Sequence, residues 1–222
     1  MSYLLRLVVP DRPGILGAVA TALGHADIDI ISVDVLERGG GVAVDDIVVD
    51  LPSDRLPDSL ITAAQAVPGV QVESLRPFAG VLDTHRELEL LEALARTGEG
   101  TAVKLLGAEL PRVFHGGWAV ILHGTEAGPC DVLAASDAAP TFEGMTVPWL
   151  PLPAPRLLPS EDDWLPERWR EMAIEMMVAP FGSPRTAVVL GRSGGPAFRR
   201  SELLRLVHLT GIAATVAQLP PA

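Results

Sequence analysis

An abrupt change from strand to helix near the N-terminus constrains the fold of this chain more than any other feature. In VVPDRPGILGAVATAL, residues 8–23, an apolar strand-like run over 3–9 meets Asp-Arg-Pro-Gly at 11–14. A helical pattern begins at once, because apolar residues from Ile15 to Leu23 recur on one face. The reversal takes only four residues. The backbone polar groups of the turn are therefore the groups most available for contact with another molecule.

Alternating strand and helix patterns continue through the N-terminal third. Residues 28–37 and 42–51 predict two strands joined by a glycine-rich turn, 56–67 predicts a helix, and 70–75 predicts another strand. The order β-α-β-β-α-β is that of a ferredoxin-like fold, in which both helices cover one face of a four-stranded antiparallel sheet. The other face is left open, so we expect a partner or a neighbouring domain to bury it.

The motifs of this region occur in a characteristic order and spacing. They are the DRPGIL turn, a helix rich in small residues and an IDI segment, within LLRLVVPDRPGILGAVATALGHADIDIISVDVLERGGGVAVDDIVVDL and the following LITAAQAVPGVQVESL. On these motifs, residues 1–78 resemble an ACT domain. The resemblance implies a regulatory module, often dimeric, that binds an amino acid or a similar small ligand between the first turn and a neighbouring subunit or repeat. Many ACT domains show no known ligand.

The turn after the first strand is the candidate ligand site. Pro13 suits the first helical position, and Gly14 lets another molecule approach the main chain. The N–H groups near Gly14 to Leu16 are placed to hold a carboxylate, and Asp11 or Asp29 is placed to receive an ammonium group. The predicted ligand-binding residues are therefore Asp11, Arg12, Pro13, Gly14, Ile15, Leu16 and Asp29.

Two points about this site stay open at the level of sequence. Asp29 stands where many members of the family have asparagine, and a carboxylate there favours a cationic group and repels an acidic side chain. The identity of the ligand is therefore unassigned. In the alternative interpretation Asp11 caps the helix and Pro13-Gly14 merely turns the chain. Both interpretations can hold together.

Beyond residue 78 the order of elements changes. Two helical patterns come first, then strands, an irregular middle, a further strand and a long closing helix, predicted at 85–96, 100–110, 118–123, 131–136, 185–192 and 196–219. This order, together with TAVVLGRSGGPAFRRSEL, resembles a GAF domain over residues 85–219. The resemblance implies a sheet flanked by helices, with a small-molecule pocket in some members and a purely dimerising role in others. We expect the two domains, 1–78 and 85–219, to be joined near 77–83.

A proline-rich segment, residues 148–169, interrupts the second domain. It holds six prolines and three tryptophans and is therefore not one regular element. The tryptophans favour packing over disorder, and they either line a ligand cavity or form ordinary core. Immediately after it, the pattern of 165–177 predicts a helix.

Charge and cysteine content exclude several classes. The 28 acidic against 17 basic residues leave a net charge of −11, which argues against nucleic acid or an anionic membrane surface as partner. No apolar run reaches the roughly 18 residues of a membrane span and the chain starts without a signal-peptide pattern, so we expect a cytoplasmic protein. The single Cys130 rules out an internal disulfide and is expected to be buried. We expect no metal or cofactor, and we interpret Asp45-Asp46 as a charged sheet edge.

One motif raises the possibility of an enzyme. GRSGG at 191–195 places Ser193 in a G-x-S-x-G pattern, as in serine hydrolases. Pro196 interrupts the sharp turn that a nucleophile elbow needs, and no aspartate occurs after Asp163. Glu202 and His208 remain formally available as partners of Ser193. Because the turn and the aspartate are missing, a serine hydrolase is the least favoured interpretation.

These observations predict an α+β, non-catalytic regulatory protein. Its ACT-like domain binds an amino acid or similar small metabolite, and its GAF-like domain binds a second ligand or a partner. We expect a homodimer whose ligand site is completed across the interface, with the signal passed to an unknown effector protein because no output domain is visible. The alternative is a ligand-free interaction scaffold that only dimerises.

Overall fold

A computed structural model of the chain describes residues 1–78, 86–125 and 128–216. The chain divides into two compact units, Met1–Leu82 and Asp83–Ala222. Each unit contains one antiparallel sheet with helices, so the predicted α+β class is confirmed. Most of the predicted linker lies outside the described residues.

The first unit has the predicted β-α-β-β-α-β order. Its elements are β1 (Ser2–Pro10), α1 (Ile15–Gly24), β2 (Asp29–Gly39), β3 (Val42–Asp50), α2 (Asp58–Gln65) and β4 (Gln71–Pro77). The sheet order is β2-β3-β1-β4, and every neighbouring pair is antiparallel. β2 is therefore an edge strand, and β3 and β1 are central.

Alternation along the central strands builds the core of this unit. On β1 the odd-numbered residues share one face, which packs against the buried stripe of α1 and against Leu60 and Ala64 of α2. The buried residues of β1 and α1 are Tyr3, Leu5, Leu7, Val9, Ile15, Val19 and Leu23. Burying each large apolar side chain contributes about 1.5–3 kcal/mol, so this stripe fixes how α1 lies on the sheet.

The even-numbered residues of the same strands carry a buried ion pair. Arg6 of β1 lies opposite Asp46 of β3, and its Nε and Nη2 atoms donate to the two carboxylate oxygens at 2.7 and 2.8 Å. The Arg6 side chain is 1% exposed. Both charges are therefore matched by a bidentate contact away from the helices.

The second unit places helices before and after a five-stranded sheet. Its elements are α3 (Arg86–Ala95), α4 (Glu99–Val113), β5 (Trp118–His123), β6 (Asp131–Ala135), β7 (Arg156–Leu158), α5 (Glu167–Glu171), β8 (Ile174–Phe181), β9 (Ser183–Ser193) and α6 (Arg200–Val216). The sheet order is β6-β5-β9-β8-β7. The predicted helix-first order and the strands at 118–123, 131–136 and 185–192 are confirmed.

Two predicted helices of this unit were placed wrongly. The expected helix over 165–177 ends at Glu171, and β8 follows after Ala173, whose φ is 44°. Because Met176, Met177 and Val178 are all buried, both faces of β8 are apolar and the alternation of a half-exposed strand is missing. The closing helix begins at Arg200 rather than at 196, and positions 217–219 lie outside the described residues.

The sheet of the second unit separates two hydrophobic cores. One lies under α3, α4 and α6; the other lies under the proline-rich segment. In β9, Val188 and Leu190 face the first core, whereas Ala187 and Val189 face the second. β9 therefore supplies side chains to both.

Candidate functional site

The predicted turn lies between the end of β1 and a left-handed cap on α1. The Asp11 N–H donates to the Gly41 carbonyl and the Arg12 N–H to the Pro10 carbonyl, both at 2.9 Å. Gly14 caps the helix with φ 84°, a conformation that favours glycine. Pro13 therefore lies two residues before the first helical residue, Ile15, and its predicted place at that first position is wrong.

The cap leaves backbone donors without partners. Among the described residues, the N–H groups of Gly14, Leu16 and Gly17 make no hydrogen bond, whereas the Ile15 N–H donates to the Arg12 carbonyl at 3.3 Å. A Cβ at Gly14 or Gly17 would meet no atom within 4 Å. Free donors, the positive end of the α1 dipole and open space therefore coincide at this turn.

Asp11 pairs with an arginine from the edge strand. Arg38 of β2 donates from Nε at 3.1 Å and from Nη2 at 2.5 Å to Asp11 Oδ1, and this contact raises the pKa of the guanidinium. No side chain caps α1, so the alternative in which Asp11 caps the helix is wrong. The β2–β3 hairpin brings Arg38 to the turn, because Gly39 lies opposite Val42 and Val42 lies opposite Pro10.

The structure does not bring Asp29 to the turn. Asp29 opens β2 opposite Asp50, and Asp50 lies opposite Ser2 at the start of β1, whereas the turn follows the end of β1. β1 has 9 residues, so at about 3.3 Å per residue the two ends of the sheet lie roughly 26 Å apart. One small ligand cannot touch Asp29 and Gly14 of the same chain.

The other predicted ligand-binding residues differ in how far their side chains are exposed to solvent. Arg12, Pro13 and Gly14 are exposed, Asp11 and Leu16 are partly buried, and Ile15 is a core residue at 6% exposure. Ile15 therefore positions the helix start rather than offering a side chain to a ligand.

Asp45 is a residue of this region that the sequence motifs did not indicate. Asp45 is 1% exposed and lies on β3 between Leu7 of β1 and Val35 of β2. Its Oδ1 atom has no hydrogen-bond partner. Burial raises the pKa of this carboxyl, Arg38 opposes the rise, and Asp46 and Asp11 add to it. Because β3 is a central strand, the prediction of a charged sheet edge at Asp45-Asp46 is wrong.

A third loop supports the base of the turn. Gly69, between α2 and β4, has φ 85°, and a Cβ on it would lie 2.8 Å from Cγ of Pro10. The loop thus packs directly against the last residue of β1. Only glycine combines this backbone conformation with such a close approach.

The second unit does not assemble the hydrolase residues considered from sequence. Ser193 is the last residue of β9. Glu202 accepts from Arg192 Nη2 at 3.0 Å and from the Arg199 N–H at 2.8 Å. His208 is exposed on α6. The one carboxylate that remained available for a triad is therefore engaged by Arg192.

Aromatic rings fill the core beneath the proline-rich segment. Trp118, Phe142 and Trp169 pack with ring centroids 5.0, 5.8 and 6.4 Å apart, and Trp149 packs on Trp164 at 5.9 Å. Cys130 is buried as predicted. Within residues 1–78, 86–125 and 128–216, no three His, Cys, Asp or Glu side chains come together as a metal site would require.

Comparison with solved structures finds similarity at low identity. A GAF domain from Acinetobacter phosphoenolpyruvate-protein phosphotransferase is 12% identical, covers 61% of this chain and 95% of its own, and has a TM-score of 0.44. The GAF domain of A. aeolicus nlh2 is 10% identical over 60% of this chain and 94% of its own, with a TM-score of 0.40.

A third similar structure is a formyltetrahydrofolate deformylase from Pseudomonas putida KT2440, with 16% identity, 43% of this chain covered and a TM-score of 0.29. The match spans 38% of the deformylase. No curated protein sequence matches the chain. None of the helices in the described part of the chain is both long and apolar enough to cross a membrane.

The family comparison bears directly on the turn. The family model of the ACT domain matches residues 3–69, which include β1, the turn, the β2–β3 hairpin and α2. The predicted resemblance of the N-terminal region is confirmed: residues 3–69 are an ACT domain.

Proposed function

We propose that this chain is a non-catalytic regulatory protein whose N-terminal unit senses an amino acid or a similar small metabolite. One observation carries the proposal: the N–H groups of Gly14, Leu16 and Gly17 are unpaired at the start of α1, where a Cβ on Gly14 or Gly17 would meet no atom within 4 Å. Backbone donors at a helix N-terminus suit a carboxylate. The ACT match over residues 3–69 supports a regulatory role for the same unit.

A second copy of the chain completes the site in this proposal. If two β2 edge strands pair antiparallel, Asp29 of one copy approaches the end of β2 that carries Arg38 in the other. Arg38 is 66% exposed, and its charge complements that of Asp29. Ile31, Val33 and Val35 on β2 are 43–49% exposed, so pairing also removes apolar surface from water. The chain then acts as a homodimer.

The experiment is a thermal-shift screen of the full chain with the standard amino acids one at a time. A ligand present at 100 times its Kd stabilises the folded state by about 2.7 kcal/mol. Gly14→Leu is expected to abolish the ligand-induced shift while the dimer persists in sedimentation, because the side chain obstructs the free donors and not β2. Asp29→Asn is expected to keep binding and change which amino acid is preferred.

The outcomes separate this function from its alternative. A dimer that no amino acid stabilises supports a ligand-free interaction scaffold, which the exposed apolar side chains of β2 favour. A monomer at micromolar concentration contradicts the completed site. A Gly14→Leu variant that binds like the parent contradicts the carboxylate site. Signal transfer to an effector protein then requires an interface outside this turn.

A further inference from the structure

Within one copy of the chain, the ammonium group of an amino acid has no free acceptor among the residues first assigned to it. The Asp11 carboxylate is engaged by Arg38, and Asp29 lies at the far end of its own sheet. In the proposed dimer Asp29 of a second copy approaches Arg38, so an anionic group near the turn within the same unit would receive the ammonium group without the partner. Asp45 is a carboxyl there with an unsatisfied oxygen.

Strand register places Asp45 on the same face of the sheet as Arg38. Residues of β3 alternate between faces, and Ala43 and Ile47 face the core under the helices. Asp45 shares their face. Arg38 lies opposite Ala43, so it is a diagonal neighbour of Asp45, at a separation that long side chains span. Arg38 lowers and Asp11 raises the pKa of Asp45, so its carboxyl lies within electrostatic range of the pair at the turn.

The charges at this point are unbalanced. One guanidinium, that of Arg38, serves both Asp11 and Asp45, and it donates hydrogen bonds to Asp11. The adjacent Asp46 provides the contrast, because both of its oxygens are matched by Arg6. A buried carboxyl with an unpaired oxygen is costly unless a cation joins it. A donor with a positive charge would balance these carboxyls and satisfy the unpaired oxygen of Asp45.

We propose that Asp45 receives the ammonium group of the ligand whose carboxylate is held at Gly14, so that the site selects zwitterionic amino acids over 2-hydroxy acids of the same side chain. This inference rests on the proposed function. Val35, opposite Asp45 on the edge strand, supplies the apolar wall beside the bound group. Asp11 keeps Arg38 in place and is a positioning residue.

The test is calorimetric titration of the full chain with each standard amino acid that raises the melting temperature, and with the matching 2-hydroxy acid. Asp45→Asn removes the charge and keeps a similar shape. Asp54→Asn is the matched control, since Asp54 is an exposed carboxylate outside β2, in the loop between β3 and α2. We expect Asp45→Asn to weaken amino-acid binding about ten- to hundredfold, as for loss of a hydrogen bond to a charged group, and Asp54→Asn to leave it unchanged.

Comparing the affinities for the amino acid and for the 2-hydroxy acid tests the role of the ammonium group on the unmodified protein. The unmodified protein is expected to bind it about ten- to hundredfold more weakly than the amino acid, and Asp45→Asn is expected to remove that preference. Equal binding of the two compounds, or an Asp45→Asn variant with parental affinity, overturns the role of Asp45 while the sensor function stands. If no standard amino acid binds the parent, the proposed function and this inference both fail.

Discussion

The buried pair of Arg192 and Glu202 gives the sharpest stability prediction, because it closes the loop between β9 and α6. The two side chains are 3% and 6% exposed and meet at 3.0 Å. Arg192 also donates to the Pro196 and Phe114 carbonyls at 3.0 and 3.3 Å, and its guanidinium lies 4.1 Å from the Phe198 ring centroid. Replacing Glu202 therefore removes the carboxylate that contacts this buried guanidinium, and the nearby carboxylate that remains is that of Glu175, opposite Arg192 on β8.

We expect Glu202→Ala to lower the free energy of unfolding by about 3–5 kcal/mol, the cost of breaking a buried ion pair from one side. At about 3 °C per kcal/mol for a domain of this size, the melting temperature falls by roughly 10 °C or more. The matched control is Glu92→Ala, which removes an ion pair with Arg96 whose side chains are 58% and 74% exposed. Its expected cost is about 0.5 kcal/mol or less.

Urea unfolding followed by tryptophan fluorescence measures the loss of stability in the second unit. The chain has 4 tryptophans, all of them between residues 118 and 169, so the signal reports the second unit. Equal losses for Glu202→Ala and Glu92→Ala would refute the reasoning, because burial would then make no difference to the worth of an ion pair. Retained stability in Glu202→Gln would show that the hydrogen bonds, rather than the charge, hold the loop.

Three further predictions concern the first unit. Gly14→Ala should lose about 1–2 kcal/mol on thermal unfolding because φ is 84°, whereas Gly17→Ala, in the helix with equal space, should gain about 0.5–1 kcal/mol; equal effects would contradict the left-handed cap. Gly69→Ala should lose about 1–3 kcal/mol, since its Cβ meets the ring of Pro10, and an unchanged melting temperature would exclude that contact. Burial raises the pKa of Asp45, so the folded state keeps a proton that the unfolded chain releases above about pH 3.9. The stability of the protein therefore falls as the pH rises through the folded pKa of Asp45. Thermal melting followed by circular dichroism should show Asp45→Asn to be more stable than the parent near neutral pH and equally stable in acid.

Local patterns predicted the elements of the first unit because strand and helix periods are properties of neighbouring residues. The contacts at the turn depend on register instead. Arg38 reaches Asp11 across 27 positions only because the β2–β3 hairpin returns beside β1. Asp29 belongs to the same run of motifs, yet the length of β2 carries it to the other end of the sheet. Motif order therefore indicated the family but not which residues meet.

Burial explains the remaining errors. Asp45 and Asp46 look alike in sequence, and alternation alone places them on opposite faces of β3, but it does not show that Arg6 serves one and leaves the other. In β8 the apolar residues cover both faces, so a strand and a buried helix have the same composition. Ala173, between α5 and β8, has a left-handed backbone, and an alanine side chain does not predict that conformation.

The position of β9 between two cores determines how the second unit opens. Because successive side chains of β9 enter opposite cores and β5 and β8 pair with it on both sides, its amide protons are protected until both layers separate. Hydrogen exchange should consequently be slowest along β9, at the free energy of global unfolding, and faster in β6 and β7 at the sheet edges. Loosening of the proline-rich segment alone exposes the tryptophans without releasing the amides of β9, so fluorescence and exchange would then report different events.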